Sequence, residues 1–254
     1  MTSRLAASLD DPVVLRRLNE ALRQISQADH VAEATAILRE ITGLLACNGA
    51  VFASFVKNDE DFGSYRYIVA CHANWCTRYL EQRWFAIDPF LIYAQHNSKV
   101  AVGDDIPLRT EGQRAFRQHA RAAGFSSIAV VPCHTAQGRS RMGVLYLTSD
   151  DASYFNSESI ESAKVWLRAI AVELLEWWTQ KLKAELAHRL ALRPIDIRLL
   201  QLAHRGFKSK EIARLLDSHP ATIDQRFARL SMRLNVTSRA LAAKLAHDNG
   251  LLDE

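Results

Sequence analysis

The sequence is short of the features that would place a protein in a membrane, in a secretory pathway or around a metal. In 254 residues, no hydrophobic run reaches the roughly 18 residues that a membrane span requires. The first residues, MTSRLAASLDDP, lack the apolar stretch of a secretory signal. The 4 cysteines show no paired spacing of zinc-ribbon or redox type, which favours free thiols but leaves a Cys71–Cys76 disulfide open. These absences predict a cytoplasmic protein without membrane contact.

The usual signatures of enzymes are also missing. The chain has no phosphate-binding glycine loop, no nucleophile elbow and no metal-ligand spacing. Cys133 and His134, with Cys71 and His72 elsewhere, are the residues that a thiol enzyme would use. Neighbouring residues of a strand point to opposite faces, however, so Cys133 and His134 cannot easily pair. We therefore predict that the protein is not an enzyme and carries no metal or cofactor.

What the sequence has is a globular composition and a basic tail. Hydrophobic residues make up 48% of the chain and charged residues 24%, which allows a substantial core. Residues 186–254 hold 12 Lys and Arg against 7 Asp and Glu, whereas residues 1–185 are close to neutral. An excess of positive charge confined to the tail fits nucleic-acid binding there, although it would also fit an ordinary solvated surface.

Hydrophobic periodicity predicts a mixed N-terminal domain over residues 1–182. Two strand pairs are expected, AVFASFVK with YRYIVACH and SSIAVVPCH with MGVLYLTS, each joined by a polar turn. Apolar residues at helical spacing predict helices over 11–27, 31–47, 75–83, 89–95, 111–123 and 157–190. Strand pairs interleaved with helices indicate an α+β fold, an α-β-α sandwich with a mostly antiparallel sheet.

The last quarter of the chain is predicted to be helical throughout, with a linker at 183–191 and a four-helix domain over 192–254. A short helix, a turn of about four residues and a longer helix form the arrangement of a helix-turn-helix. The longer helix has one apolar stripe, made by Ile223, Phe227, Leu230 and Leu234. Its opposite side carries Thr222, Gln225, Arg226, Arg229 and Arg233. This side suits phosphates and base edges, and the alternative is a bundle helix with solvated arginines.

This tail resembles the C-terminal helix-turn-helix of LuxR-type regulators. The matching residues are Leu192, Leu199, Leu200, Ala203, Gly206, Glu211, Ile212, Ala213, Leu216, Thr222, Ile223, Leu230, Leu234, Val236, Arg239 and Ala242. The family pattern implies base-facing side chains at Asp224, Gln225 and Ala228. The full set of predicted DNA contacts is Lys208, Ser209, Lys210, Thr222, Asp224, Gln225, Arg226, Ala228, Arg229 and Arg233. Departures from the pattern occur at Lys208, Ser218, His219 and Arg226, so an unusual sequence preference is expected.

The stretch NWCTRYLEQRWFAIDPF, from Asn74 to Phe90, combines aromatic residues with a carboxylate before proline. Trp75 and Tyr79 lie one helical turn apart, on one face. One interpretation is structural: the aromatic rings fill the core, and Asp88 caps the helix that Pro89 begins. The other interpretation makes the stretch the wall of a small-molecule pocket, where a few polar groups in an apolar cavity hold an amphiphile.

The spacing of this stretch resembles the Trp-x3-Tyr…Asp-Pro signature of the acyl-homoserine-lactone-binding domain of LuxR-type receptors, which normally precedes such a tail. The resemblance implies that Trp75 donates its indole N–H to the lactone carbonyl. It implies further that Asp88 accepts from the ligand amide and that Tyr79 lines or bonds the acyl carbonyl.

The predicted pocket departs from the family pattern. Cys71 stands where the family often has tyrosine, and bulky Phe90 and Tyr146 stand where smaller residues are common. Tyr146 is a candidate to supply the hydroxyl that Cys71 lacks. A second tryptophan expected near residues 102–103 is absent, and Ile128 replaces a glycine. The ligand-binding candidates are therefore Trp75, Tyr79, Asp88, Cys71, Phe90 and Tyr146, in a reshaped cavity.

Together the two halves predict a DNA-binding transcriptional regulator of quorum-sensing type. Its expected ligand is an N-acyl homoserine lactone or a related amphiphile, and its expected partners are double-stranded DNA, this signal and a second copy of the chain in a homodimer. The alternative is a LuxR-type solo regulator whose remodelled pocket responds to a non-lactone signal or acts without ligand.

Overall fold

The structure, a computed structural model, describes residues 4–57, 59, 63–135 and 141–252. Its helices are α1 (Arg4–Asp10), α2 (Pro12–Ile25), α3 (Val31–Leu44), α4 (Ala73–Glu81), α5 (Pro89–His96), α6 (Glu111–Ala122), α7 (Ser157–Arg189), α8 (Pro194–His204), α9 (Ser209–Leu215), α10 (Pro220–Arg233) and α11 (Arg239–Asp248). Its strands are β1 (Gly49–Val56), β2 (Arg66–Ala70), β3 (Ala101–Val102), β4 (Ser127–His134) and β5 (Arg141–Ser149). Short 3₁₀ turns lie at Trp84–Ala86 and Gly103–Asp105.

The strands form one five-stranded sheet in the order β2-β1-β5-β4-β3. The pairs β1–β2, β3–β4 and β4–β5 are antiparallel, with Val51 opposite Val69 and Val130 opposite Tyr146. Helices interleave with these strands, so the predicted α+β class and antiparallel hairpins are confirmed. The predicted turns at 58–64 and 135–141 lie largely outside the described residues, at 58, 60–62 and 136–140.

Alternation along the strands gives the sheet two different faces. On one face, Ala53 and Tyr146 belong to an apolar cluster that also contains residues of α4, α5 and α6. On the other face, the buried Cys133 thiol donates a hydrogen bond to the Ala171 carbonyl of α7 at 3.3 Å. His134, the next residue, is exposed and contacts the Asn97 carbonyl. Cys133 and His134 therefore point apart, as the sequence predicts.

Several boundaries differ from the predicted ones for local reasons. Helix α3 ends at Leu44 because Ala46 has a φ of 49°, in the left-handed region that a helix cannot continue through. Helix α1, of 7 residues, and strand β3, of 2 residues, were not predicted. Both are too short to establish a recognisable hydrophobic period.

The chain divides into two compact units, with the division inside α7 between Trp177 and Trp178. In the tail, helices α8 to α11 enclose a core of their own. The predicted stripe on α10 is confirmed as part of this core, since its four members are 1–7% exposed, namely Ile223, Phe227, Leu230 and Leu234. Beyond α8, Gly206 adopts a φ of 86°, which favours glycine and lets the chain turn toward α9.

Among the described residues, no helix combines the length and the hydropathy needed to cross a bilayer.

Candidate ligand cavity and nucleic-acid face

The start of α5 fixes the position of the Asp88 carboxylate. Pro89 occupies the first helical position, where its missing N–H costs nothing. Asp88 is the N-cap, and its Oδ1 accepts from the backbone N–H groups of Phe90 at 2.8 Å and Leu91 at 3.3 Å. The residue is only 2% exposed, so these donors compensate part of the cost of burying a carboxylate. The structural interpretation of Asp88 as a cap is therefore confirmed.

The second Asp88 oxygen, Oδ2, faces Tyr79. The Tyr79 hydroxyl donates to Asp88 Oδ2 at 2.9 Å, which joins α4 to the start of α5. Burial raises the pKa of Asp88 to about 6, against the lowering effect of the Tyr79, Phe90 and Leu91 donors. Burial also raises the pKa of Tyr79 well above its ordinary value, so its phenol stays protonated and able to donate. A carboxylate has about four acceptor positions, so three donors leave room for one more.

Trp75 stands on the same face of α4 as Tyr79, inside a group of aromatic rings. Its ring centroid lies 5.1 Å from that of Phe125 in an edge-on arrangement and 5.2 Å from that of Trp84. Phe116 of α6 lies 6.0 Å away. These contacts hold the partly buried indole in place at the cavity wall. The rings around it therefore fix the position of this hydrogen-bond donor.

A cavity of about 220 Å³ lies beside these residues, between one face of the sheet and helices α4, α5 and α6. All six predicted ligand-binding residues line it, namely Cys71, Trp75, Tyr79, Asp88, Phe90 and Tyr146. The other lining residues are Val51, Ala53, Tyr67, Val69, Cys76, Leu80, Leu91, Phe116, Ala120, Phe125, Ile128 and Thr148. A mostly apolar wall with few polar groups is suited to an amphiphile.

Tyr146 contributes an unsatisfied polar atom to this wall. It lies on β5, and its hydroxyl oxygen is buried without a hydrogen-bond partner among the described residues. Burial raises the pKa of Tyr146 well above its ordinary value, so the group is a neutral O–H donor. A buried hydroxyl without a partner costs about 1–3 kcal/mol. A guest with a carbonyl oxygen at this place would remove that cost.

The Phe90 ring fills the space next to Gly103 at the cavity wall. The ring is 2% exposed, and a Cβ added at Gly103 would lie 3.2 Å from both Phe90 Cζ and Ile128 Cβ. The space beside residue 103 is thus filled by Phe90 and Ile128, which are both bulkier than the residues of the family pattern at these positions. The close approach explains why residue 103 carries no side chain.

Several lining residues were not predicted from the sequence. Val51, Ala53 and Tyr67 come from strands β1 and β2, and Phe116 and Phe125 come from α6 and the segment after it. In each strand the lining residues occupy alternate positions and so lie on one face of the sheet, and Phe116 lies with Ala120 on one side of α6. Sequence periodicity could therefore have grouped these residues, but it does not tell which face of the sheet encloses the cavity.

In the tail, the outer side of α10 presents its polar residues to solvent. The exposed members of the predicted DNA-contacting set are Lys208, Lys210, Thr222, Asp224, Gln225, Ala228, Arg229 and Arg233. Ser209 and Arg226 are partly buried. The exposed set places amide, hydroxyl and guanidinium groups on one side of the helix, as a major-groove helix requires.

Three of these tail residues, Ser209, Asp224 and Arg233, also make side-chain contacts within the protein. The Ser209 hydroxyl donates to Asp224 Oδ1 and accepts from Arg239 Nη1 at 3.0 Å. Arg233 Nη1 lies 3.4 Å from Oδ2 of Asp196, a carboxylate whose side chain is 3% exposed. Asp196 Oδ2 also accepts from the Arg193 backbone N–H at 3.1 Å, at the start of α8. Arg233 therefore stabilises a buried carboxylate within the tail, independently of any contact that it makes with DNA.

The sheet, the cavity and the helical tail together define a ligand-binding regulator of LuxR type. The family described as autoinducer binding domain matches residues 30–175, and the chain belongs to this family. The transcriptional activator protein VanR of Vibrio anguillarum is 24% identical over 181 residues, which cover 71% of this chain and 74% of VanR.

Solved structures show the same fold. SdiA of Escherichia coli superposes with a TM-score of 0.72 at 15% identity, over 93% of this chain and 98% of SdiA. SdiA in complex with octanoyl-rac-glycerol gives a TM-score of 0.67 at 14% identity, over 96% of this chain and 98% of that chain.

The family match confirms the predicted LuxR-type resemblance in the ligand-binding half, and the matched relative VanR is a transcriptional activator rather than an enzyme. The helix-turn-helix lies outside the matched residues. The domain boundaries at 182 and 192 and the individual roles of the cavity and tail residues stay predictions.

Proposed function

We propose that this protein is a transcription regulator that binds an N-acyl homoserine lactone, or a closely related acyl amphiphile, in the cavity beside Trp75. Binding there controls how the tail engages DNA through α10. The observation that carries the proposal is the polar end of the cavity, where a buried carboxylate, the unsatisfied Tyr146 hydroxyl and the Trp75 indole meet a mostly apolar wall.

The polar groups match the head of an acyl amide. Asp88 Oδ2, with one acceptor position left, receives the amide N–H. The Tyr146 hydroxyl and the Trp75 indole N–H each donate to a carbonyl oxygen, and the ligand relieves the unsatisfied Tyr146 hydroxyl. Val51, Leu91 and the other aliphatic wall residues surround the acyl chain, which gains about 0.8 kcal/mol for each buried CH₂.

Ligand binding would stabilise the N-terminal unit by mass action, by about 2.7 kcal/mol at a ligand concentration one hundred times Kd. A change in DNA binding requires that the ligand bind the DNA-competent state more tightly than the other state. In a homodimer, two tails would read half-sites about one turn of DNA apart. The exposed amide and guanidinium groups of α10 support this role, together with the basic tail.

The ligand part is tested by organic extraction of the purified protein followed by mass spectrometry. Thermal unfolding with octanoyl homoserine lactone and with octanoyl-rac-glycerol then compares the two head groups. We expect the lactone to raise the unfolding midpoint by several degrees, as about 2.7 kcal/mol predicts for a unit of this size. An unchanged midpoint at saturating concentrations of both compounds would remove the cavity from the proposed function.

A second candidate keeps the regulator and replaces the lactone. Phe90 and Ile128 fill the space beside Gly103, and SdiA has a solved structure in complex with octanoyl-rac-glycerol. Both observations favour a remodelled pocket that takes a non-lactone acyl compound. A midpoint that rises with the glycerol ester and not with the lactone would select this candidate.

The DNA part is tested by fluorescence anisotropy on labelled duplex DNA at salt concentrations from about 50 to about 300 mM. Several phosphate contacts should lower the affinity by about tenfold or more over this range, because salt opposes counterion release. We expect affinity to fall steeply as salt rises. Binding that is flat across this range would contradict phosphate contact by the tail.

A further inference from the structure

Two cysteine thiols meet in the wall of the ligand cavity. Cys71 follows β2, and Cys76 lies in the second turn of α4. Their Sγ atoms are 3.5 Å apart, about the contact distance of two sulfur atoms, and both residues are free and only partly buried. Closing this distance to the roughly 2.0 Å of a disulfide needs a movement of about 1.5 Å shared between the two side chains.

The position of Cys71 is fixed by its neighbours. A Cβ added at Gly49 of β1 would lie 3.0 Å from Cys71 Cβ, so the absence of a side chain at residue 49 makes room for the cysteine. Ala50 pairs with Ala70 just before this point, which sets the register of the two strands. Cys71 is therefore held at the end of the sheet, directly before the helix that carries Cys76.

The pair is accessible through the cavity. Cys71 and Cys76 both line it, as does Leu80, which is 53% exposed and so extends the cavity wall to the surface. The other two cysteines differ. Cys133 is 4% exposed with its thiol bonded to a carbonyl. Cys47 is partly buried, its thiol donates to the Leu45 carbonyl at 3.5 Å, and burial raises its pKa to about 12. Neither residue lines the cavity, so these two thiols serve as internal controls.

The two thiols also differ from each other. The hydrogen bond between them, followed by burial, raises the pKa of Cys71, whereas the same hydrogen bond lowers the pKa of Cys76. A thiolate is the attacking species in thiol–disulfide exchange. Because the two thiols share this hydrogen bond, either can attack first, with the other beside it to resolve the product.

We propose that Cys71 and Cys76 form a dithiol modification site that small organic disulfides oxidise to an intramolecular disulfide in the cavity wall. One of the two cysteines, as its thiolate, attacks one sulfur of the small disulfide, forms a mixed disulfide and releases one thiolate, which takes a proton. The other cysteine, once deprotonated, then attacks the Sγ of the first, forms the Cys71–Cys76 bond and releases the second thiolate, which takes the other proton. The protein dithiol is oxidised and the small disulfide is reduced to two thiols.

Occupancy of the cavity controls this reaction, a consequence that rests on the proposed ligand-binding function. A guest beside Trp75 covers both sulfur atoms and blocks the approach of a disulfide. The disulfide in turn ties the start of α4, which carries Trp75 and Tyr79, to the end of β2. Thiol redox state and ligand binding are therefore coupled at one site.

The test treats the full chain with 2-hydroxyethyl disulfide and follows it by mass spectrometry and peptide mapping. Wild type is expected to lose two thiols and to yield a peptide pair linked through Cys71 and Cys76, with Cys47 and Cys133 unmodified. Cys71→Ser is expected to stop at a mixed disulfide on Cys76. Cys76→Ser is expected to stop at a mixed disulfide on Cys71.

The outcomes distinguish the dithiol site from the proposed ligand binding in the cavity. Wild type that keeps all four thiols, or that yields mixed disulfides without the Cys71–Cys76 link, would overturn the dithiol site even if a serine variant failed to fold. The reaction is then repeated with saturating octanoyl homoserine lactone, where we expect a rate at least about tenfold lower. A linked product formed at an unchanged rate would leave the dithiol site standing and count against ligand binding in the cavity.

Discussion

The cavity and the outer side of α10 use polar residues in opposite ways. In the cavity the polar groups are few, and the central one, Asp88, is 2% exposed with three donors already on it. On α10 the polar groups are many and mostly exposed. A buried carboxylate without partners is costly, whereas an exposed one is solvated by water. Substitution of Asp88 should therefore have a large effect on stability, whereas substitution of an α10 residue without a buried partner, such as Arg229, should have a small one.

Two aspartates make the contrast concrete. Asp88 shapes the protein and the proposed ligand site at once, because the same carboxylate caps α5, binds Tyr79 and faces the cavity. Asp224 is exposed and accepts from a single hydroxyl, that of Ser209. A buried group such as Asp88 can therefore serve the fold and a ligand at the same time, whereas an exposed group such as Asp224 has little structural role to separate from its role in binding.

The largest effect is expected for Asp88→Ala. The substitution removes the cap of α5 and leaves the Tyr79 hydroxyl without its acceptor, so the free energy of unfolding should fall by about 2–4 kcal/mol. It also removes the acceptor for the ligand amide, so the stabilisation by octanoyl homoserine lactone should disappear. Thermal unfolding with and without the lactone measures both quantities.

Asp88→Asn is the matched control, since the side-chain oxygen of asparagine still caps a helix and still accepts from Tyr79. It should recover most of the lost stability and only part of the ligand response. If the unfolding midpoint of the alanine variant rose with lactone concentration as it does in wild type, Asp88 would have no role in ligand binding.

The second effect is a pH dependence of ligand binding. The folded pKa of Asp88, about 6, lies above its ordinary value of 3.8. Folding therefore favours the protonated form, and the contribution of Asp88 to stability increases as pH falls from about 6 toward 3.8. Ligand binding has the opposite sign, because the amide N–H needs the carboxylate.

We expect the lactone affinity to be flat from pH 7.5 to about 6.5 and to fall below pH 6, by at most about tenfold per unit. Titration calorimetry across this range measures the change. Asp88→Asn should show no such inflection, and an inflection of the same size in that variant would assign it to another group.

A smaller effect is expected for Tyr146→Phe. Without ligand, loss of a buried hydroxyl that has no partner should raise the free energy of unfolding by about 1 kcal/mol. With ligand, loss of the donor should weaken binding by about 5- to 10-fold, the equivalent of one hydrogen bond. Equal affinity in wild type and variant would remove Tyr146 from the proposed site.

The smallest effect is expected for Arg229→Ala on α10. Arg229 is exposed, so the unfolding free energy should change by less than about 0.5 kcal/mol. Loss of one phosphate contact should reduce the salt slope of DNA binding by about one unit. Anisotropy at several salt concentrations measures the slope.

Arg233→Ala sharpens the comparison within the tail, because it leaves the buried Asp196 with one partner fewer. We expect it to lower the stability of the tail by about 1–3 kcal/mol. If Arg233→Ala changed the salt slope of DNA binding but not the free energy of unfolding, the contact of Arg233 with Asp196 would not stabilise the tail.

Features set by local chemistry were predictable from the sequence. The stripe on α10 follows from helical period, and the capping of α5 by Asp88 follows from an acidic residue before proline. The common face of Trp75 and Tyr79 follows from their spacing of four. Each depends on residues within a few turns of one another, so no knowledge of the fold was needed.

Tertiary structure alone decided which distant residues meet. Tyr146 reaches the cavity because β5 lies next to β1 in the sheet, and Phe116 reaches it because α6 packs on that face. Cys71 and Cys76 are near in sequence, yet the spacing left open whether their thiols meet, and they do so where the chain passes from β2 into α4 beside Gly49. The sequence determined the kinds of groups available and their local faces. Strand order and packing, which local periodicity does not encode, determined that these groups enclose one cavity.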